Sequence, residues 1–428
     1  MSKMNGVDFS SIAALSGKSL VNAGGLSAAP VTQDSGIVVC PYNIVPFGPF
    51  SKAEGADYSN PINMLQISDL TGVKQLAQNS SQFTVLKTNG DLYVGGWTGS
   101  TVYGVSGSAA NNVINNGGTT LTLSGVSKVA MHTGGMLALK TDGTLWWTGN
   151  ISTYLNTTGL GQSTFSASYQ WLQIGSDSDW VDISADWNYP WTIIGIKGSS
   201  GSQYLYSCGY NANYATGLGT TSGRTLQFTR VKSDASTDLS ESFAYVRHNY
   251  GTCLAITESG KLFSWGENAY GNCGDGSTTD KPYATQVGTD TDWDKAWSQR
   301  FGAFAMKTDG TMYMSTSRTS WRIEPNTNKV FTQIGTDTDY EDLAVYPATN
   351  SMNYTVFAKK NGVWYLSTGQ THDANSWVGS TQKSATASNT WVTVSSYMEN
   401  PPTGTIDVLL PLINYTAQSE PCLMFALS

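Results

Sequence analysis

An all-β fold, a single seven-bladed β-propeller preceded by an extended N-terminal strap, is what this sequence predicts, and three observations carry the expectation. The first is a phrase that recurs five times: Leu86-Lys-Thr-Asn-Gly-Asp-Leu-Tyr93, Leu139-Lys-Thr-Asp-Gly-Thr-Leu-Trp146, Ile256-Thr-Glu-Ser-Gly-Lys-Leu-Phe263, Met306-Lys-Thr-Asp-Gly-Thr-Met-Tyr313 and Ala358-Lys-Lys-Asn-Gly-Val-Trp-Tyr365. Each copy joins an apolar strand end to an apolar or aromatic strand start through Asn, Asp or Ser before Gly, a strong hairpin signal. The second is period. A looser sixth copy runs from Ile196-Lys-Gly through Gly201 to Tyr204-Leu-Tyr206, so the turn glycines fall at 90, 143, 201, 260, 310 and 362. A spacing of roughly 50–60 residues with several strands per unit points to a propeller, because one such unit cannot bury both faces alone. The third is composition: 13% of residues are charged while Gly numbers 45 and Ser, Thr and Asn abound, the balance of an extended β surface.

Residues 1–36 contain no hairpin phrase and carry only Lys3, Asp8, Lys18 and Asp34 as charges. They form a strap that a neighbouring chain would have to hold, with Val7, Phe9, Ile12, Leu15 and Leu20 as the apolar side chains able to fill its groove. The propeller is expected over 37–428. Each unit opens on a first strand that alternates, as in Val126-Ser-Lys-Val-Ala-Met131, Trp180-Val-Asp-Ile-Ser-Ala185, Phe243-Ala-Tyr-Val-Arg247, Trp293-Asp-Lys-Ala-Trp297 and Trp391-Val-Thr-Val-Ser395. The hairpin follows. After it comes a Gly/Asn-rich stretch, clearest in Ser264-Trp-Gly-Glu-Asn-Ala-Tyr-Gly-Asn-Cys-Gly-Asp-Gly276 and weaker at Trp147-Thr-Gly-Asn150 and Ser207-Cys-Gly-Tyr-Asn211.

This combination resembles the regulator of chromosome condensation propeller family over about residues 65 to 395, and most closely over 240–290. The resemblance implies seven blades, and first strands at 70, 126, 180, 243, 293, 340 and 391 supply that number. The phrase has decayed at Ser315-Thr-Ser-Arg318 and Ser367-Thr-Gly-Gln370, so the outer strands there should be altered. The last unit is short of strands, which predicts that a segment near Ile37-Val-Val-Cys40 pairs beside the C-terminal strands and removes an open edge. One fold hosts many unrelated sites, so the resemblance says little about function.

At the start of the chain, Met4-Asn-Gly-Val-Asp-Phe-Ser-Ser-Ile-Ala13 followed by Leu15-Ser-Gly-Lys18 is similar to a short leader of tailed-bacteriophage structural proteins. That second resemblance covers about fifteen residues. It implies attachment to virion proteins through residues 1–36 and a location on the particle surface.

Net charge is −8 with a pI near 4.9, which leaves no electrostatic footprint for nucleic acid. No stretch reaches the length of a membrane-spanning helix, so membrane insertion is not expected. Five cysteines, Cys40, Cys208, Cys253, Cys273 and Cys422, share no C-x-x-C spacing and read as buried apolar residues. Gly17-Lys18-Ser19 lacks the upstream glycine of a phosphate loop, because position 12 is Ile12. His132, His248 and His372 lie in different repeats without a nucleophile motif, so neither catalysis, a cofactor nor a transition metal is expected.

Two features remain as candidate sites. Three loops carry paired aspartates before a first strand: Asp177 with Asp179, Asp290 with Asp292, and Asp337 with Asp339. Such oxygens suit calcium, but the calcium-loop spacing is missing, and Asp beside Ser or Thr also caps turns locally. Better placed are the aromatic and basic residues that break the repeat's phase between first strand and hairpin: Trp187, Tyr189, Trp191, His248, Tyr250, Arg300 and Phe301. Tyr, Trp and Arg anchor binding hot spots. The expected function is therefore a non-enzymatic virion structural protein that displays its propeller for host adhesion at a tail fibre or tail tip, with a host-surface glycan or protein as receptor. Head decoration and a soluble regulatory interaction propeller are the alternatives.

Overall fold

In this computed structural model every named element is a β-strand. The structure describes residues 20–22, 36–40, 65–67, 72–78, 82–96, 120–132, 135–149, 168–185, 192–221, 223–317, 328–346, 355–367, 391–394, 406–412 and 422–427. The repeated phrase folds as its chemistry requires. At the first copy the Gly90 N–H donates to the Lys87 carbonyl at 3.0 Å and the Lys87 N–H to the Asp91 carbonyl at 2.9 Å. The same two bonds recur between Lys140, Gly143 and Thr144, between Thr257, Gly260 and Lys261, and between Lys307, Gly310 and Thr311.

The strands fall into two compact units, Gly125–Tyr340 and the remainder of the chain. Gly125–Tyr340 holds four antiparallel four-stranded sheets, each made from consecutive strands. Numbered in chain order, blade two opens on Val126–His132, blade three on Trp180–Ala185, blade four on Phe243–Asn249 and blade five on Trp293–Gln299. These four first strands pack side by side. Each carries a register shift after its opening residue, between Val126 and Lys128, Trp180 and Asp182, Phe243 and Tyr245, and Trp293 and Lys295. Such a bulge twists the strand and re-aims the third side chain. Apolar residues fill the space between blades: Ile194, Ile196 and Leu205 of blade three meet Phe243, Val246 and Trp265 of blade four, all buried.

In the other unit, blade one opens on Val73–Gln78; blade six opens on Tyr340–Tyr346, whose first residue still belongs to Gly125–Tyr340. Among the described residues the expected count of seven repeat blades is corrected to six. Trp391–Thr393 does not open a seventh unit; it is the outer strand of blade six, with Trp391 opposite Ser367 and Thr393 opposite Tyr365. The physical reason is that an aromatic followed by a run of β-branched residues suits any half-buried strand, first or fourth. The outer strands where the loop phrase has decayed are the shortest, two residues at Thr332–Gln333 and three at Trp391–Thr393.

The remaining strands form a five-stranded sheet of a different build, in the order Leu20–Asn22, Leu65–Ile67, Gly36–Cys40, Cys422–Leu427, Ile406–Leu412. Gly36 opposes Leu427 and Cys40 opposes Leu423, so a segment near Ile37 does pair with the C-terminal strand. Leu20 lies opposite Ile67, which gives the strap a strand in a sheet of its own chain. Val7, Phe9, Ile12 and Leu15 lie outside the described residues.

Candidate functional site

The ends of a blade differ. The hairpin between second and third strands lies at one end; the first-to-second turn and the third-to-fourth loop lie at the other. In blades three to five that second end is the candidate site.

Its loops are organised by the Asn of the Trp-Gly-x-Asn phrase. Asn268 accepts from the Cys273 N–H at 2.8 Å through Oδ1, while its Nδ2 donates to Asp275 Oδ1 at 3.1 Å and to the Thr279 carbonyl at 3.0 Å. Asn211 repeats the arrangement in blade three, accepting from Thr216 N–H at 3.2 Å and donating to Thr220 Oγ1 at 2.6 Å. A serine two strand positions before the glycine ties each loop's far side: Ser207 Oγ donates to the Thr216 carbonyl at 2.7 Å and Ser264 Oγ to the Cys273 carbonyl at 2.8 Å. The loop of blade three is fastened to blade four by Trp265, whose Nε1–H donates to the Ala215 carbonyl at 3.0 Å. Trp265 is fully buried.

Between these loops stands Glu267. Its N–H donates to the Gly251 carbonyl at 3.0 Å and its carbonyl accepts from Thr252 Oγ1 at 2.7 Å, so the backbone is held twice. Oε2 accepts from Asn213 Nδ2 at 3.1 Å. Burial pushes the carboxyl pKa above the usual range, Asp280 adds to the rise, and Asn213 and Arg300 oppose it. The Arg300 guanidinium lies 5.9 Å from the Tyr250 ring centre and 5.0 Å from that of Phe301, and Phe301 meets Tyr270 edge-on at 4.7 Å.

The backbone here is strained. Asn213 (φ 51°), Tyr214 (φ 62°) and Tyr250 (φ 48°) are three of the four non-glycine residues with positive φ among the described residues. The fourth, Asn361 (φ 48°), precedes Gly362 in a two-residue turn whose geometry Asn-Gly favours. Tyr250-Gly251 adopts the same turn signs with a tyrosine where the side chain clashes with its own backbone. Strain of this kind persists only where surrounding contacts over-determine it, and it concentrates at functional sites.

Of the residues singled out from sequence, Trp187, Tyr189 and Trp191 lie outside the described residues. Tyr250, Arg300 and Phe301 are brought together, but Tyr250 and Phe301 are buried, and only Arg300 presents a half-exposed side chain. His248 is corrected from a surface contact to an interior residue at 4% exposure. It belongs to the strand rather than the turn, and alternation turns it inward. Burial drives its pKa down to about 3, with His132 adding to the drop and the Thr192 backbone opposing it. Its N–H donates to Ser184 Oγ at 2.9 Å. Glu267, Asn213 and Tyr270 escaped the sequence reading because they sit inside the fold's own phrase; the signal was the acid at its variable position.

A second polar cluster lies between first strands. Asp182 is buried and pairs with Lys128 of blade two and with Arg247 Nη1 of blade four at 3.3 Å, and it accepts from the Val246 N–H at 3.1 Å. The two cations and the amide hold its carboxyl below the usual range despite burial. In the equivalent place Tyr245 donates its hydroxyl to the Ala296 carbonyl of blade five at 2.7 Å. Asp182 and Tyr245, re-aimed by the bulge, thus bond the free edge of the next blade's first strand, which would otherwise leave buried backbone groups unpaired.

The paired aspartates also have a structural occupation. Asp177 takes Lys197 Nζ at 2.9 Å, and Asp290 and Asp292 take Lys307 Nζ at 2.8 and 3.1 Å. Each lysine lies over two rings, Lys197 over Trp180 and Tyr206, Lys307 over Trp293 and Tyr313. Among the described residues no group of three His, Cys, Asp or Glu side chains is placed to hold a metal ion, and no helix is long and apolar enough to cross a membrane. Cys208, Cys253 and Cys273 are buried free thiols.

The regulator of chromosome condensation (RCC1) repeat model matches residues 259–293, the hairpin and loop just described. Yeast RCC1 (Prp20), solved bound to Kap60, is similar with a TM-score of 0.63 at 12% identity over 93% of this chain and 90% of that one. Human WBSCR16 is similar with a TM-score of 0.63 at 13% identity over 92% and 100%. Prp20p from Saccharomyces cerevisiae, described with its binding properties to Gsp1p and histones, gives 0.62 at 13% over 93% and 92%. No curated protein matches the sequence. At these identities the likeness is one of fold.

Proposed function

We propose that this RCC1-type β-propeller is a non-enzymatic protein-interaction module that takes its partner on the loop end of blades three to five. The observation that carries the reading is the convergence there of strained Tyr214 and Tyr250 with Asn213, Arg300, Tyr270 and Glu267, a combination of Arg and Tyr anchors on rigidly bonded loops. The description of yeast Prp20p by its binding to Gsp1p and histones supports protein binding as a use of this fold, without naming a partner for this chain. A photo-crosslinking residue placed at Tyr270 should yield a discrete protein adduct in the native setting, and the same residue at Lys261, at the opposite end of blade four, should not. Equal adducts from both positions, or none from Tyr270, would reject the reading.

A second reading rests on one sequence observation, the leader phrase Asn5-Gly-Val-Asp-Phe-Ser10. It places the protein on a tailed-bacteriophage particle, with residues 1–36 as the attachment and the loop end turned toward a host glycan or protein. The measurement is the amount of a chain lacking residues 1–36 recovered in purified particles. Undiminished recovery removes this reading and leaves the interaction module untouched.

A further inference from the structure

We infer that the Glu267 carboxylate is the receiving group for a cationic side chain, a lysine or arginine, of the protein partner. This rests on the interaction reading above and names the chemistry of its central contact.

Three observations carry it. The first is incomplete pairing. Glu267 forms no ion pair among the described residues, whereas Asp182, the buried acid of the same unit, has two. Its Oε2 is held by Asn213 Nδ2 at 3.1 Å, a neutral donor, while Arg300, which lies over the Tyr250 and Phe301 rings, acts on it by charge without forming an ion pair. A half-buried carboxylate with a neutral donor on one oxygen is solvated less well than in water and gains from a second, charged donor. The direction of its pKa shift agrees: burial outweighs what Asn213 and Arg300 return.

The second is position. Neighbouring Asn213, Tyr214 and Tyr250 hold left-handed backbone that glycine would hold at less cost. The loop that carries Asn213 reaches Glu267 from blade three, so the acid stands where two blades' loops meet. The third is charge balance. Asp280 is tied to the Asn268 N–H at 2.8 Å and raises the negative potential at Glu267, while Lys281 is committed to Asp275. With a net charge of −8 over the whole chain, a cation approaches this end without long-range repulsion.

The experiment uses the full-length chain and small probes. Nα-acetyl-lysine amide and Nα-acetyl-arginine amide are compared with neutral Nα-acetyl-glutamine amide by ligand-observed NMR titration. The cationic probes should bind about threefold or more tightly than the neutral one. Glu267→Gln should bring them down to the neutral probe's affinity, and Arg300→Gln, which removes a competing positive charge, should raise it. A preference that survives Glu267→Gln, or no preference at all, overturns the inference. Should Glu267→Gln fail to fold, Glu267→Asp decides alone: it keeps the charge but withdraws the carboxylate by one methylene, so the cationic preference should weaken, and an unchanged preference overturns the inference. If the Tyr270 adduct forms while the probes show no preference, this inference falls and the interaction reading stands. Glu267-dependent probe binding without an adduct separates the two in the other direction.

Discussion

The hairpin-turn end and the loop end of the blades between residues 125 and 340 are built from the same repeat but meet different constraints. At the turn end Gly143, Gly260 and Gly310 share φ near +77°, and the carbonyls of Ser178, Thr291 and Thr338, each inside a paired-aspartate loop, press against them. Each glycine carbonyl accepts the N–H of the next blade's opening aromatic, as Gly260 does from Trp293 at 3.0 Å. Gly201 shows what happens when the paired-aspartate loop is absent. Nothing covers it, and Glu258 reaches across to its N–H at 2.8 Å instead. The loop end has no such lock on residue identity: the Asn211 and Asn268 loops keep one asparagine network and vary the rest. Where backbone closes on backbone the repeat stays uniform, and where side chains organise a loop it is free to differentiate.

The largest effect that would test this contrast is acid unfolding from the loop end. His248 has its pKa lowered to about 3 from 6.5, so the unfolded chain binds the extra proton between those values and stability falls as pH drops from 6.5 toward 3. The loss should reach on the order of 4 kcal/mol across the window. Asp182, with its carboxyl held below 3.8, contributes a loss only at the acid end of that range, whereas Glu267, raised above 4.5, gives a small change of opposite sign. Denaturant midpoints of the wild type and of His248→Gln at pH 7 and pH 4 measure it. A wild-type slope no steeper than the variant's would remove His248 from the account.

Next comes the glycine pair. Gly260→Ala should cost about 2–3 kcal/mol, because the new methyl meets the Thr291 carbonyl in addition to the left-handed backbone penalty. Gly201→Asn should stay within about 1 kcal/mol, since Asn tolerates this conformation and the space is open. Equal losses in thermal or urea unfolding would mean that conformation alone, and not coverage by the paired-aspartate loop, sets the constraint.

The smallest effect isolates the strain at Tyr250. Asn361 holds the corresponding first position of a two-residue turn, in the second-to-third-strand hairpin of blade six, and is exposed, so Asn361→Tyr moves a tyrosine into that backbone with no burial to offset it. The expected cost is about 1–2 kcal/mol. An unchanged stability would show that a tyrosine at this position carries no strain worth assigning to function.

The all-β class, the hairpins and the repeat's phase are legible in the residues alone. Asn or Asp before Gly and a recurring interval are local properties, and a tight turn needs little more than its own residues. The residues also expose the shortage of strands at the C-terminal end, which the pairing of Gly36–Cys40 with Cys422–Leu427 meets. Tertiary structure decided the rest. Trp391-Val-Thr-Val could open a blade or close one, because alternation encodes a half-buried strand and not its partner, and only the pairing with Tyr365–Ser367 made it the outer strand of blade six. His248 and Tyr250 looked alike as loop residues until strand register turned the histidine into the interior. Glu267 became distinctive through Asn213, 54 residues away in sequence and in another blade. Pairing, burial and charge balance depend on which blades become neighbours, and that is settled by packing across segments no local pattern can see.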